Sequence, residues 1–383
     1  MKIKNITARI LQFPVYLPMI DKPMENRVIT YCEVETDDGL KGCGVTGSFM
    51  PWAIVAAIEH EIFPIPKDMD PRNSEAIHDK VWKSLNPRAY TGVISNALSA
   101  VDIACWDIHG QATGRTVAQL MGGHSDWTSA YITFGYPFFD KDQLVEYAKK
   151  FVDEGQTGLK MVVACDKGGW REDARRIRAV RDAVGPDIDL MIDANYKFSP
   201  MDARLLCRAV EECDLTWFEE PLHQNDARAM ADLRRHTNIP ISAGQMEGHR
   251  WRVRELIEHQ AVDLLQPNCC YNGGYTETLK IAHLAQAYNL PIANGAGWPI
   301  FNMHTMAGVM NGGMCEFHWG LWQAGNTFFD GAPNPDGPIV RIPDRPGLGF
   351  TPNQDAIAEH TVKDPESLRG GGMQTNISGI QAI

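Results

Sequence analysis

Asp193, Glu219 and Gln245 stand 26 residues apart in turn. Each ends a short apolar run: "LMID", "TWFE" and "ISAGQ". An earlier run, "GLKMVV", carries Lys160. Two carboxylates side by side with a third oxygen donor can hold a hard divalent ion. Mg2+, with water or substrate oxygens completing its octahedron, is the expected one. A lysine beside such an ion binds an anion. It can also take a proton, because a neighbouring cation disfavours the ammonium. The plainer alternative is that a strand-end carboxylate caps the next helix or pairs with a lysine. Equal spacing of two acids next to a lysine-bearing run favours ligation. The same interval puts Gln245 in the third ligand position, where a neutral amide lowers the charge of the site and weakens its hold on a cation. Glu247 is the alternative third ligand, since residues two apart on a strand share a face.

These residues need a scaffold that aligns the ends of their runs. From about residue 128, strand-like runs recur at "AYITFG", "GLKMVV", "IDLMID", "LTWFEE", "IPISAG", "VDLLQP", "LPIANG" and "GMCEFH". Amphipathic segments such as "REDARRIRAVRDAVG" separate them. Near-continuous apolar runs suit strands buried on both faces, and this rhythm predicts a closed parallel barrel. The active site of such a barrel lies at the C-terminal ends of its strands. Further candidates there are Asn195, Gln266, Asn268, Asn294, Trp298, Glu316 and His318. Tyr136, after the first run, and Tyr90, in "NPRAYTG", are candidate substrate contacts.

Before the barrel, "ITYCEVETDDGLKGCGVTG" predicts a hairpin around an Asp-Gly turn. The stretch "VYLPMIDKPMENRV", with prolines and charges and no period, reads as a loop. Residues 52–121 read as helical. The domains are therefore expected at 1–127 (a first, mixed domain), 128–330 (the barrel) and 331–383 (a segment returning to the first domain), with about 14 frayed residues at the end.

The formal net charge of −12 argues against non-specific binding to nucleic acid or to an anionic membrane. Nine cysteines, an odd number without a CxxC pair, read as reduced thiols of a cytoplasmic protein. No apolar run is long enough to span a membrane.

The segments "SNALSAVDIACWDIHGQATGRTVAQLMGG", "GLKMV", "MIDANY", "TWFEEP", "AGQ" and "VDLLQPNCCYNGGYTETLKIAHLA" together resemble the enolase superfamily, in its mandelate racemase and muconate lactonizing enzyme branch. The resemblance implies an α/β fold: a modified TIM barrel, (β/α)7β, with an α+β capping domain built from both termini. It also implies Mg2+ holding a substrate carboxylate and stabilising the enediolate left when a base removes the α-proton. A symmetric homo-oligomer is the family habit.

Asp193 and Glu219 match the first two metal positions, and Lys160 matches the first lysine of a Lys-x-Lys motif. Val162 stands where the second lysine would be, Asn268 where a dyad aspartate would be and Gly295 near the dyad histidine. Asn294 and Trp298 are the nearest substitutes on that side, and Glu316 matches the acid of the last strand. The resemblance therefore implies a metal-dependent enzyme on a small hydroxy-carboxylate, with Lys160 as catalytic residue. An acid-sugar dehydratase is the leading expectation, a single-base isomerase such as a cycloisomerase the second, and a carboxylate-binding barrel with degenerate catalytic residues the third.

Overall fold

The computed structural model describes residues 1–17, 23–47, 49–85, 92–136, 139–164, 168–364 and 368. Three antiparallel strands, β1 (Ile3–Tyr16), β2 (Pro23–Thr36) and β3 (Lys41–Thr46), form the first sheet in the order β1-β2-β3. The predicted hairpin is the β2–β3 pair, turning through Asp37–Leu40. The stretch read as a loop is instead strand on both sides. Val15 pairs with Glu25 and Tyr16 with Pro23, so ladder pairing overrides the prolines and charges. Pro23 is tolerated because it is the first residue of its strand.

Alternation along β2 sends Ile29 and Tyr31 to one face and Cys32 and Val34 to the other. The second face packs on α3 (Val93–Thr113), which follows α1 (Pro51–Ala56) and α2 (Ser74–Ser84). Contact is close: a Cβ at Gly44 would lie 2.0 Å from Ala100 O, so only glycine lets β3 approach the helix.

After α4 (Val117–Leu120) the chain enters the barrel. Its strands are β4 (Trp127–Gly135), β5 (Gly158–Val162), β6 (Asp189–Asp193), β7 (Phe218–Glu219), β8 (Ile241–Ala243), β9 (Leu264–Leu265) and β10 (Cys315–His318). They pair in parallel, and β10 closes back on β4. The intervening helices are α5 (Lys141–Asp153), α6 (Trp170–Val184), α7 (Pro200–Ala209), α8 (Ala227–Arg234), α9 (His249–Glu258), α10 (Gly274–Ala287) and α11 (Pro299–Gly308). The run "LPIANG" forms no strand. Ile292 alone bridges Leu265 on one side and Gly312 on the other. The architecture is a modified TIM barrel, (β/α)7β, with an N-terminal capping domain.

Tyr131, Met191, Trp217, Leu264 and Ala293 fill the barrel interior and form the floor on which the strand-end residues rest. The capping domain is fastened to the barrel by hydrogen bonds as well as apolar contact. Asp102 on α3 accepts from Thr276 N at 3.0 Å and Thr276 Oγ1 at 2.6 Å, and His78 Nε2 lies 2.8 Å from the same carboxylate. The other face of the capping sheet shares an apolar core with Tyr271, Trp298, Phe301 and Leu321 of the barrel.

The barrel region ends with α12 (Trp319–Phe328) and β11 (Phe329–Asp330), and the terminal segment carries β12 (Ile339–Arg341), β13 (Thr351–Pro352) and α13 (Gln354–His360). Its path differs from a simple return to the capping domain. β12 first pairs antiparallel with the start of β4, and only then does Leu348 reach α3. The stretch expected to fray lies outside the described residues. No helix among the described residues is long and apolar enough to cross a membrane.

Candidate active site

Lys160 lies mid-strand on β5, paired with Thr133 and Met191, and is fully buried. Alternation sends its side chain inward, to the same face as that of Val162. The Nζ sits 5.4 Å from the centre of the Tyr131 ring and meets three carboxylates. Glu219 Oε2 is 2.6 Å away, Glu316 Oε1 2.9 Å and Asp193 Oδ2 3.3 Å. Burial disfavours the ammonium, but Glu219, Glu316 and Asp193 outweigh it and hold Lys160 well above the ordinary lysine range. The lysine is therefore a cation in this arrangement, at the centre of the strand ends.

Each carboxylate is oriented by neighbours. Asp193 Oδ1 accepts from the backbone N and side-chain Nδ2 of Asn195, at 2.8 and 3.0 Å. Glu219 Oε2 also accepts from Gln266 Nε2 at 2.8 Å and Trp217 Nε1 at 3.3 Å. Glu316 accepts from Thr133 Oγ1 at 2.5 Å and Gly297 N at 2.7 Å. Burial pushes Glu219 well above the usual carboxylate range. Glu316 lies below that range, because Lys160, His318 and Thr133 overcome its burial.

Several residues here hold a left-handed backbone: Asn195, Tyr196, Glu220, Ala296 and Trp298 all have φ between 42° and 65°. Such strain persists where the surroundings over-determine it, and it clusters at functional sites.

Gln245 donates Nε2 to Glu220 Oε2 at 2.6 Å. Its Oε1 turns toward position 295, where a Cβ would lie 3.0 Å from it. Among the described residues no three His, Cys, Asp or Glu side chains are arranged to hold a metal ion; a cation here would have Asp193 and Glu219 as its charged ligands. Glu219 Oε1 is buried with no hydrogen-bond partner among the described residues, and Asp193 Oδ2 faces the same centre. One or two carboxylates completed by waters and substrate is the set Mg2+ commonly takes. The two carboxylates fit that ion, and Gln245, whose Nε2 is given to Glu220, is the neutral residue of the third position. Glu247 is turned elsewhere: it accepts from Asn225 Nδ2 at 3.3 Å and faces Arg252 Nε at 3.4 Å.

The opposite side of the mouth differs from expectation. Asn268 Nδ2 donates to Gly295 O at 2.6 Å and Gly297 O at 3.1 Å, and its Oδ1 accepts from Cys270 N and Asn302 Nδ2. Asn294 Nδ2 donates to the same two carbonyls, at 2.8 and 3.2 Å, while its Oδ1 accepts from Glu316 N. Both amides hold the loop that replaces the missing strand, and their geometry serves the backbone. Trp298 is fully buried in the interdomain core, with Nε1 on Tyr271 Oη at 3.1 Å.

His318 and Tyr136 do meet at the mouth, rings edge-on with centres 6.1 Å apart. Tyr90 lies outside the described residues. The residues not singled out beforehand are Thr133, Trp217 and Tyr196. Inward alternation on β4 points to Thr133, which pairs with Lys160 across the ladder.

Residues 143–356 match the Enolase C-terminal domain-like family, and residues 6–122 match the mandelate racemase / muconate lactonizing enzyme N-terminal domain. The chain is 29% identical over 352 residues to an arabinonate dehydratase of Saccharolobus solfataricus, covering 90% of this chain and 93% of that one. It is 30% identical over 391 residues to a D-galactarolactone cycloisomerase of Agrobacterium fabrum, covering 95% and 100%. Among solved structures, a racemase from Streptomyces coelicolor with bound magnesium superposes with a TM-score of 0.87 at 25% identity, covering 94% of this chain and 100% of that one. Fold and relatives agree: the chain belongs to the enolase superfamily, in its mandelate racemase and muconate lactonizing enzyme branch.

Proposed function

We propose that this barrel removes the α-proton of a small acid sugar and expels the β-oxygen substituent, as a dehydratase. The observation that carries the reading is the buried Lys160 ammonium within 3.3 Å of Asp193, Glu219 and Glu316. Relatives at about 30% identity that are dehydratases and cycloisomerases of acid sugars support it. Asp193 and Glu219 would hold Mg2+ with Gln245. When bound, the ion supplies positive charge for the substrate carboxylate and for the negative charge that develops as the proton leaves.

Among the described residues, Lys160 is the lysine whose Nζ meets these carboxylates, so the α-proton is assigned to it. Its own proton must first leave, and the ammonium, which a divalent cation held beside it would disfavour, releases that proton to solvent. Glu316, fixed by Thr133 and Gly297, can accept a hydrogen bond from a substrate hydroxyl beside Lys160. The eight described cysteines are free and buried, in keeping with a cytoplasmic setting.

A second reading, ring-opening cycloisomerisation, is favoured by the far side of the mouth. Hydroxide needs a proton as it leaves, whereas a lactone carboxylate does not. Asn268 and Asn294 are committed to backbone carbonyls and offer no acid there. The test is a panel of aldonic acids, sugar diacids and their lactones, assayed with Mg2+ and with EDTA. Mass spectrometry separates the readings, since dehydration loses water and cycloisomerisation keeps the mass. Binding without turnover across the panel would favour a carboxylate-binding barrel.

A further inference from the structure

Glu220 follows Glu219 at the end of β7 and is fully buried. A buried carboxylate is costly unless opposite charge or hydrogen bonds meet it. No lysine, arginine or histidine pairs with Glu220 among the described residues. Neutral donors meet it instead. Asn225 Nδ2 donates to Oε1 at 3.0 Å, Gln245 Nε2 donates to Oε2 at 2.6 Å, and the Tyr196 hydroxyl adds a third bond. Asn225 Nδ2 also reaches Glu247 Oε1 at 3.3 Å, so two carboxylates fix which end of that amide faces Glu220.

The backbone of Glu220 is held as firmly. Its N donates to Ser242 O and its O accepts from Tyr196 N, both at 2.9 Å. Its φ of 42° is left-handed, a strain that the surrounding bonds sustain. Glu220 is thus fixed at both carboxylate oxygens and at both backbone groups.

Gln245 is held differently. A glutamine side chain has two ends of similar size, but only the oxygen can bind a cation and only the nitrogen can donate. No other residue among those described hydrogen-bonds the Gln245 side chain. The contact with Glu220 therefore decides which end is left over. Glu220 takes Nε2, so the free end is Oε1, on the side of position 295. A hydrogen bond from Nε2 to an acid also polarises the amide and makes its oxygen a better donor to a cation.

We propose that Glu220 is a positioning residue for the divalent ion: it holds Gln245 Nε2 so that Oε1 is presented to the ion. The Glu220–Gln245 pair together then takes the place of one glutamate at the third ligand position. This inference rests on the reading of Asp193 and Glu219 as the charged ligands of that ion.

The test is binding of Mn2+ without substrate, followed by loss of the free-ion EPR signal. In Glu220→Gln, Asn225 still donates toward residue 220, so the new amide keeps its oxygen there and turns its nitrogen to Gln245. Gln245 must then reverse, and its oxygen is spent on that bond. The dissociation constant should rise about ten- to a hundredfold over wild type. Exchanging the pair, Glu220→Gln together with Gln245→Glu, lets the new amide donate to the new carboxylate and should restore wild-type affinity or better. A merely structural role for Glu220 would not be rescued by this exchange. Unchanged affinity in Glu220→Gln, or an exchanged pair that binds more weakly than wild type, would overturn the inference and leave the metal reading standing. A wild type that binds no Mn2+ would remove the metal reading and this inference with it. The exchanged pair keeps one amide and one acid in contact, and so decides the matter even if Glu220→Gln does not fold.

Discussion

Gln245 gives its amide to Glu220, and the 2.6 Å bond joins two side chains that are both buried. Burial first, and the charge of Asp193 second, push the Glu220 carboxyl up to about 8. A glutamate at position 245 would set two carboxylates at hydrogen-bond distance. One of them would have to protonate or move. Gln245→Glu is predicted to lower stability in EDTA by about 1–3 kcal/mol, the cost of an unsatisfied buried group. Mg2+ should then raise the melting temperature of the variant more than that of the wild type. Thermal unfolding with and without Mg2+ checks both, and an unchanged melting temperature in EDTA would contradict the first.

Lys160 balances three buried carboxylates, so removing its charge should be costly. Lys160→Met leaves Asp193, Glu219 and Glu316 without their cation and is predicted to lose about 3–5 kcal/mol at neutral pH. The loss should shrink in acid, where the carboxylates protonate in both states. Urea unfolding at two pH values measures this, and a loss that does not vary with pH would contradict it.

Leu348 is held from both sides, by Asp107 Oδ1 on its N at 3.0 Å and by His304 Nε2 on its O at 3.2 Å. Burial pushes Asp107 from 3.8 to about 6 and pulls His304 from 6.5 to about 4. For Asp107, the folded state keeps a proton between about pH 4 and 6 that the unfolded chain has lost, so stability falls as pH rises. For His304, the unfolded chain holds a proton between about pH 4 and 6.5 that the folded state lacks, so stability rises. The two slopes oppose each other. Asp107→Asn should expose the rise and His304→Gln the fall, each on the order of 3 kcal/mol across its window. Urea midpoints between pH 4 and 6.5 test the signs, and a variant sloping the other way would contradict the assignment.

Much of this was legible because barrel strands are written as apolar runs ending in chemistry. "GLKMVV" and "LMID" are buried on both faces, and their ends are aligned by ladder pairing, so equal spacing in the chain becomes adjacency at the mouth. The pairing of Asp193 with Glu219 in the β6–β7 ladder is that adjacency. The run "LPIANG" misled because composition cannot show that carbonyls 295 and 297 leave the ladder for the amides of Asn268 and Asn294. The same limit hid the role of those two asparagines, since an amide that holds a loop looks in sequence like one that faces a substrate. Gln245 and Gly295 turn out to be neighbours, because a Cβ at position 295 would press within 3.0 Å of the glutamine. Their two departures from the family pattern occupy one space.

The central claim is that Lys160 takes the α-proton of an acid sugar. The measurement that tests it most directly is exchange of that proton with solvent deuterium, followed by NMR with Mg2+ present. The wild type should exchange or turn over at least one acid sugar, and EDTA should abolish the reaction. Lys160→Arg, which keeps a cation but cannot serve as the base, should still bind the substrate while exchange falls by about a hundredfold or more. Exchange undiminished in Lys160→Arg, or absent from the wild type with every acid sugar that binds, would contradict the account.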